Sequence, residues 1–387
     1  MGLSHAVANP FGTPHGRAVL KCAGETRQVR LVVDASDNTI TIAPPDLQVW
    51  RQLQLGEDIA LEQVEVLVEG NCWRAPIIKG LQVMESSGGR FHTADTAMGR
   101  ATAQDGPVAI AKLSKNGTQE FRLDREVKPS MEFSGGFDLP KPITLVDGVV
   151  LRSRGGRTVL EGDGLAYLNV AGVRLALSLA FGHLCWQRYQ AAGSVLTLVF
   201  QQQTHAGRLS DLVFDPSSDG WMDYEKVELG LVEVFRCAMA ALGRVPDQQD
   251  WPEKGYLVEW FLAARSVAGL VDFRALSLFS FFEMVDGTKT MNGQSLAQLL
   301  DIPLEKAKAL TRVRNEVSHG RLNLEQALRR HPELDAEFFG DQEVGSYADR
   351  PTSTFMNYLV HTANKLMLGA IACSVVPASW VGRGTQS

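Results

Sequence analysis

The chain has few cysteines, no long apolar run and no excess of positive charge. Each shortage removes a class of function. Cys22, Cys72, Cys185, Cys237 and Cys373 are scattered and never form a C-x-x-C pair, so neither a disulfide framework nor a zinc motif is legible. His183 and Cys185 are the nearest metal-like pair; with no second pair in view they read as core residues, and no metal is expected. The apolar stretches at 165–181 and 366–376 are interrupted by Arg174 or too short to cross a bilayer. No basic segment precedes an apolar one at the start, and Ala6 stands where a myristoylation motif wants Ser or Thr, so a cytoplasmic protein with no membrane partner is expected. A net charge of −6 over 387 residues argues against general coating of polyanions, though not against one local basic site.

A phosphate-cradling G-x-x-x-x-G-K-[ST] loop is also missing. The run Arg152-Ser153-Arg154-Gly155-Gly156-Arg157 has cations and glycines, but it fits a charged hairpin tip better than a nucleotide loop.

What is present divides in two, as this length allows. Residues 1–215 read as a β-rich domain. Val29–Asp34 and Thr39–Ala43 flank an Asp37-Asn38 turn, and 64–69 alternates apolar and polar residues. Glycine pairs punctuate short β-branched runs over 143–179, which predicts an antiparallel meander, since glycine accepts the positive φ of tight turns. The weakly periodic stretch 86–106 reads as a long loop, 175–190 as a helix and 195–200 as a strand.

Past Asp215-Pro216-Ser217-Ser218-Asp219-Gly220 the period changes to that of helices, and 216–387 reads as an all-α domain. Helices are predicted over 224–242, 253–268, 273–285, 295–300, 304–321, 323–330 and 352–375. The fold class is therefore α+β, an antiparallel β-rich N-terminal domain followed by a helical bundle.

Within the helix predicted over 304–321 lies Arg314-Asn315-Glu316-Val317-Ser318-His319, in a segment rich in Lys and Arg. A guanidinium can grip a phosphate in two-pronged fashion and stays charged, while an imidazole exchanges protons near neutrality. Metal-free phosphodiester cleavage needs both. Asn315 and His319 are four apart and share a helix face. Arg314 is about 140° around the helix from His319, an arc a long side chain can span in part. Arg312 offers a competing cation seven residues before the histidine. Two plainer readings stand beside this one: His319 as a cation at a helix C-terminus, and Arg314 as an ion-pair residue, with Glu316 or Glu283 as partner. Glu283 is a lone carboxylate in the apolar run FSFFEMVDG, which requires a partner cation or a cleft. His331, before Pro332, reads as a surface residue, His361 as core or interface, and Tyr256 and Trp260 as core aromatics.

The Arg-Asn-x-x-x-His spacing, with aliphatic Leu310, Val313 and Val317 around it, resembles the signature of the HEPN superfamily, and the resemblance covers roughly 216–380. The β-rich region before it is similar in architecture to ApeA-like anti-phage proteins. The resemblance implies a metal-independent, cofactor-free endoribonuclease active as a homodimer, two motif helices forming one composite site. It implies His319 as general acid or base, Arg314 as stabiliser of phosphorane charge and Asn315 as an orienting group, with Arg312, Arg321 and Glu283 in support, and products ending in 2′,3′-cyclic phosphate. The RNA substrate would include tRNA among its candidates, and the N-terminal domain would sense a phage-derived trigger. Arg321 stands where nucleotidylated HEPN toxins carry Tyr, which removes that mode of control. A non-catalytic HEPN scaffold that dimerises or binds nucleotides is the alternative. A third reading, a β domain that binds carbohydrate, would need Trp50, Trp73 or Trp186 exposed.

Overall fold

A computed structural model describes residues 15–22, 25–34, 39–43, 58–68, 71–95, 100–113, 117–154, 157–200, 212–218, 221–242, 251–266, 271–287, 292–334 and 351–378. The α+β class holds: antiparallel strands come first and helices follow. The chain divides into two compact units, Met1–Tyr167 with Cys185–Ala206 and Leu168–Leu184 with Gly207–Ser387. The sequence suggests one cut near 215; instead a helical stretch leaves the strand unit early and the chain returns to it.

In the first unit, β1 (His15–Cys22), β2 (Glu25–Asp34), β3 (Thr39–Ala43), β4 (Asp58–Val68), β5 (Asn71–Asp95) and β6 (Arg100–Leu113) pair in the order β4-β1-β2-β3-β6-β5, and β4 also pairs with β5. These six strands therefore close into a ring, which leaves no unpaired edge among them. Alternation does the rest. In β3 the pattern of burial is iBiBi, with Ile40 and Ile42 inward, and Leu20, Leu31, Leu61, Val66, Trp73 and Ile78 join them in the core. The β2–β3 hairpin pairs as expected, Asp34 opposite Thr39; its Asp37-Asn38 turn lies outside the described residues.

The stretch read as a loop over 86–106 is a correction. β5 and β6 run antiparallel from Leu81 opposite Leu113 to Asp95 opposite Arg100. A two-stranded ribbon satisfies its backbone by cross-strand pairing and so needs no apolar alternation, the signal the sequence lacked.

β7 (Gly117–Ser134) carries the sheet onward to β10 (Arg157–Glu161), β9 (Val150–Arg154) and β8 (Ile143–Thr144), and also pairs with β11 (Trp186–Phe200). Arg154 opposite Arg157 makes the charged hairpin expected there. The meander ends at Glu161, however; Asp163–Tyr167 forms a 3-10 turn, α1 (Val170–Phe181) follows, and the helix expected over 175–190 stops early because Trp186–Gln190 belongs to β11. The Asn169 carboxamide oxygen accepts the N–H groups of Ala171 and Gly172, and Gly182 closes the helix at φ 73°. Capping outweighs the β-branched residues and Gly172.

The second unit adds seven helices among the described residues: α2 (Tyr224–Leu242), α3 (Trp251–Ser266), α4 (Val271–Asp286), α5 (Gly293–Leu300), α6 (Leu304–Ser318), α7 (Leu324–Arg329) and α8 (Pro351–Ala370). Val227, Leu231, Val234, Phe235, Ala238 and Leu242 form the buried stripe of α2. Phe261 on α3, Phe281 and Phe282 on α4 and Phe355 on α8 are fully buried, each contributing about 2–3 kcal/mol by removal from water. α6 buries Ala307, Leu310, Val313 and Val317 at three- and four-residue spacing. It ends three residues short of the expected limit. Gly320 at φ 63° breaks it, with its N–H on the Val317 carbonyl and that of Arg321 on Glu316, which closes the last turn. Asn323 then opens α7 through a capping box with Gln326.

Candidate functional site

The sequence motif occupies the last turns of α6. The Arg314 guanidinium donates from Nη2 to the Glu283 carboxylate on α4 and from Nη1 to Asn315 Oδ1 at 3.0 Å. Both members of the ion pair are mostly buried, their side chains 29% and 17% exposed. Glu283 thus has the partner that its isolation in an apolar helix required. Phe279, Glu283, Leu296, Thr311 and Arg314 line a hollow of about 10 Å³, barely the room of one water molecule. The charge of this group is balanced and its cavity small; any substrate must be met at the surface.

His319 stands outside that group. It is the C-terminal cap of α6, at φ −85° and ψ 4°, close enough to helical that the 140° arc from Arg314 is not shortened. Its side chain is exposed, and among the described residues no hydrogen bond or ion pair joins it to Arg314 or to any other group. Both ring nitrogens are therefore open to a ligand or to a second chain. The structure brings together Arg314, Asn315 and Glu283, and leaves His319 apart at the helix end.

The remaining candidates fall elsewhere. Arg312 is exposed and faces Glu333 at 3.8 Å. Arg321 is exposed just past the glycine turn, its backbone N–H on Glu316. His331, read as a surface residue, is buried instead and is corrected here: its Nε2 lies 3.5 Å from Glu316 and its Nδ1 3.4 Å from Glu333. Glu333 is held below the usual carboxylate range, first by a backbone hydrogen bond, then by His331 and Arg312. A histidine next to a proline carries no burial signal of its own.

His361 is half-buried, Nδ1 at 3.0 Å from the Ala378 carbonyl. His183 and Cys185 are buried, as expected. Tyr256, expected in the core, is more than half exposed, its ring tilted against that of Trp260. In the strand unit Trp73 is fully buried and Trp186 half-buried, which disfavours sugar stacking on either; Trp50 lies outside the described residues. No helix among the described residues is long and apolar enough to cross a membrane. Searches of family models, curated proteins and solved structures find no match to this chain.

Proposed function

We propose that the chain is a metal-independent endoribonuclease of the HEPN type, acting in anti-phage defence by abortive infection with a homodimer as its active unit. The observation that carries this reading is the state of His319. An exposed, unpartnered imidazole stands at the end of the helix whose Arg314 and Asn315 are fixed from below by Glu283. The motif of one chain offers one imidazole, and the hollow beside Arg314 has room for about one water molecule. Two chains meeting along α6 would supply two imidazoles to one linkage. One would take the 2′-hydroxyl proton and the other would protonate the leaving 5′-oxygen. Arg314, with donors left over after Glu283 and Asn315, would stabilise the phosphorane. Arg312 and Arg321, both exposed near the helix end, would hold flanking phosphates.

RNA, with tRNA as one candidate, is the substrate class this chemistry fits, because only a ribose carries the attacking hydroxyl. The strand unit is assigned the sensing of a phage-derived trigger by architecture alone. The test is induced expression of the wild type beside His319→Ala. Growth arrest with RNA fragments ending in 2′,3′-cyclic phosphate, lost in the variant, supports the assignment; cleavage that survives the substitution overturns it.

One observation favours the second reading, a non-catalytic scaffold. The Arg314 charge is already matched by Glu283, as a structural ion pair would be. A stable dimer with intact cellular RNA after full induction would select it.

A further inference from the structure

α2 and the segment following α8 bring three metal-ligating side chains together. Glu233 and Cys237 are four apart on α2 and share a face. Cys373 comes from the turn that ends α8. There Ala372 holds a left-handed φ of 52°, its N–H on the Gly369 carbonyl, while the Cys373 N–H bonds Leu368. A non-glycine residue in that conformation is costly, and it points the chain back toward α2. One carboxylate oxygen and the two sulfurs all lie within 4.8 Å of one another. Cys237 Sγ is 3.4 Å from Glu233 Oε1 and 3.8 Å from the Ala372 carbonyl oxygen.

The geometry points to a binding site for a thiophilic divalent cation, Zn²⁺ in class, held by Cys237, Cys373 and Glu233, with water or the Ala372 carbonyl in the fourth position. Ligands of tetrahedral zinc stand about 3.6–3.8 Å apart, given Zn–S near 2.3 Å and Zn–O near 2.1 Å. The Cys237–Glu233 separation of 3.4 Å is slightly shorter than this, and none of the others needs to close by more than about 1 Å. Two thiolates with one carboxylate favour zinc over calcium or magnesium, which take oxygen donors alone. Both sulfurs are buried, whereas the Glu233 side chain keeps 30% of its surface, so an ion has one open approach.

Two features set the conditions for binding. Without a cation, burial and then the neighbouring Cys373 thiol push the Cys237 thiol up to about 12. Ligation of Cys237 as a thiolate would release its proton to solvent. Secondly, Arg236 occupies the cation's electrostatic role: it bonds Glu233 at 2.8 Å through Nε and 2.5 Å through Nη2, and lies 3.4 Å from Cys237 Sγ. The guanidinium is half exposed and can swing into solvent. Core packing alone explains two adjacent buried thiols equally well, but it predicts no cation affinity and no response at Arg236.

The full chain, reduced and stripped of metal, should be titrated with Co²⁺ as a spectroscopic probe and then with Zn²⁺ in competition. The expected result is one equivalent of Co²⁺ bound, with thiolate-to-cobalt charge transfer in the near ultraviolet, tetrahedral bands in the visible, and displacement by Zn²⁺. Cys237→Ser and Cys373→Ser should abolish the charge-transfer band. Because those buried changes risk the fold, Glu233→Gln, which keeps both thiols, should weaken Co²⁺ at least tenfold, and Arg236→Ala should tighten it. Absence of charge transfer in the wild type overturns the site, as does Arg236→Ala weakening the ion.

Discussion

At the scale of single residues, the motif splits into a fixed part and a free part. Glu283 clamps Arg314, and Arg314 in turn clamps Asn315, so three of the candidate groups have settled positions before any substrate arrives. Replacing Glu283 with Ala leaves a mostly buried guanidinium unpaired. The expected loss is about 2 kcal/mol, between the values for exposed and buried pairs, read from urea unfolding. A variant as stable as wild type would show that the pair does not hold α4 to α6. His319 lacks any such tie, so His319→Ala is expected to leave the unfolding free energy within about 0.5 kcal/mol of wild type while removing cleavage. His331 is expected to behave in the opposite way. Its imidazole is walled in by Glu316 and Glu333, and its substitution should lower stability instead.

At the scale of elements, the helices were legible and the exceptions are instructive. α2 announces itself through apolar residues at three- and four-residue spacing and α4 through an almost wholly apolar run, and each begins and ends within two residues of its expected limits. α1 was partly hidden, because Val170, Gly172 and Val173 argue for strand while the decisive signal is the carboxamide of Asn169. The β5–β6 ribbon was hidden altogether, since a hairpin paired through its backbone shows little apolar alternation over 86–106. The candidate site was legible as residue types and as the Glu283–Arg314 pair. The placement of His319 was not, because it depends on where Gly320 stops the helix. Two glycines test these elements. Gly320 at φ 63° has open space around it, so Gly320→Ala should cost only the left-handed strain of about 1–2 kcal/mol. At Gly230 an added methyl would lie 2.2 Å from the buried Phe214 ring. Gly230→Ala should therefore be the more destabilising of the two in thermal melts, and the reverse order would contradict the packing of α2.

At the scale of the whole molecule, charge and association become the relevant quantities. Glu65 is held below the ordinary glutamate value of 4.5 by hydrogen bonds from Arg17 and then Arg74, Glu233 by Arg236, and Glu333 as described above. A depressed folded-state value means the stabilisation is complete above 4.5 and is lost as pH falls through the lower folded values. All three groups are near the surface, so the effect on each is small and screened by salt. The urea midpoint should decline below pH 4.5, and Glu65→Gln should flatten that decline; an unchanged slope in the variant would remove Glu65 from the account.

Association carries more weight, since the motif of one chain supplies a single imidazole and the proposed mechanism uses two. The most direct measurement is cleavage of total cellular RNA by purified protein, wild type against an Arg314→Ala/His319→Ala double variant, with dimer content measured by sedimentation in the same samples. The account predicts fragments with 2′,3′-cyclic phosphate ends from the wild-type dimer and none from the double variant, at equal dimer content. Equal fragmentation by both proteins, or none by a wild-type dimer incubated with RNA, would contradict it.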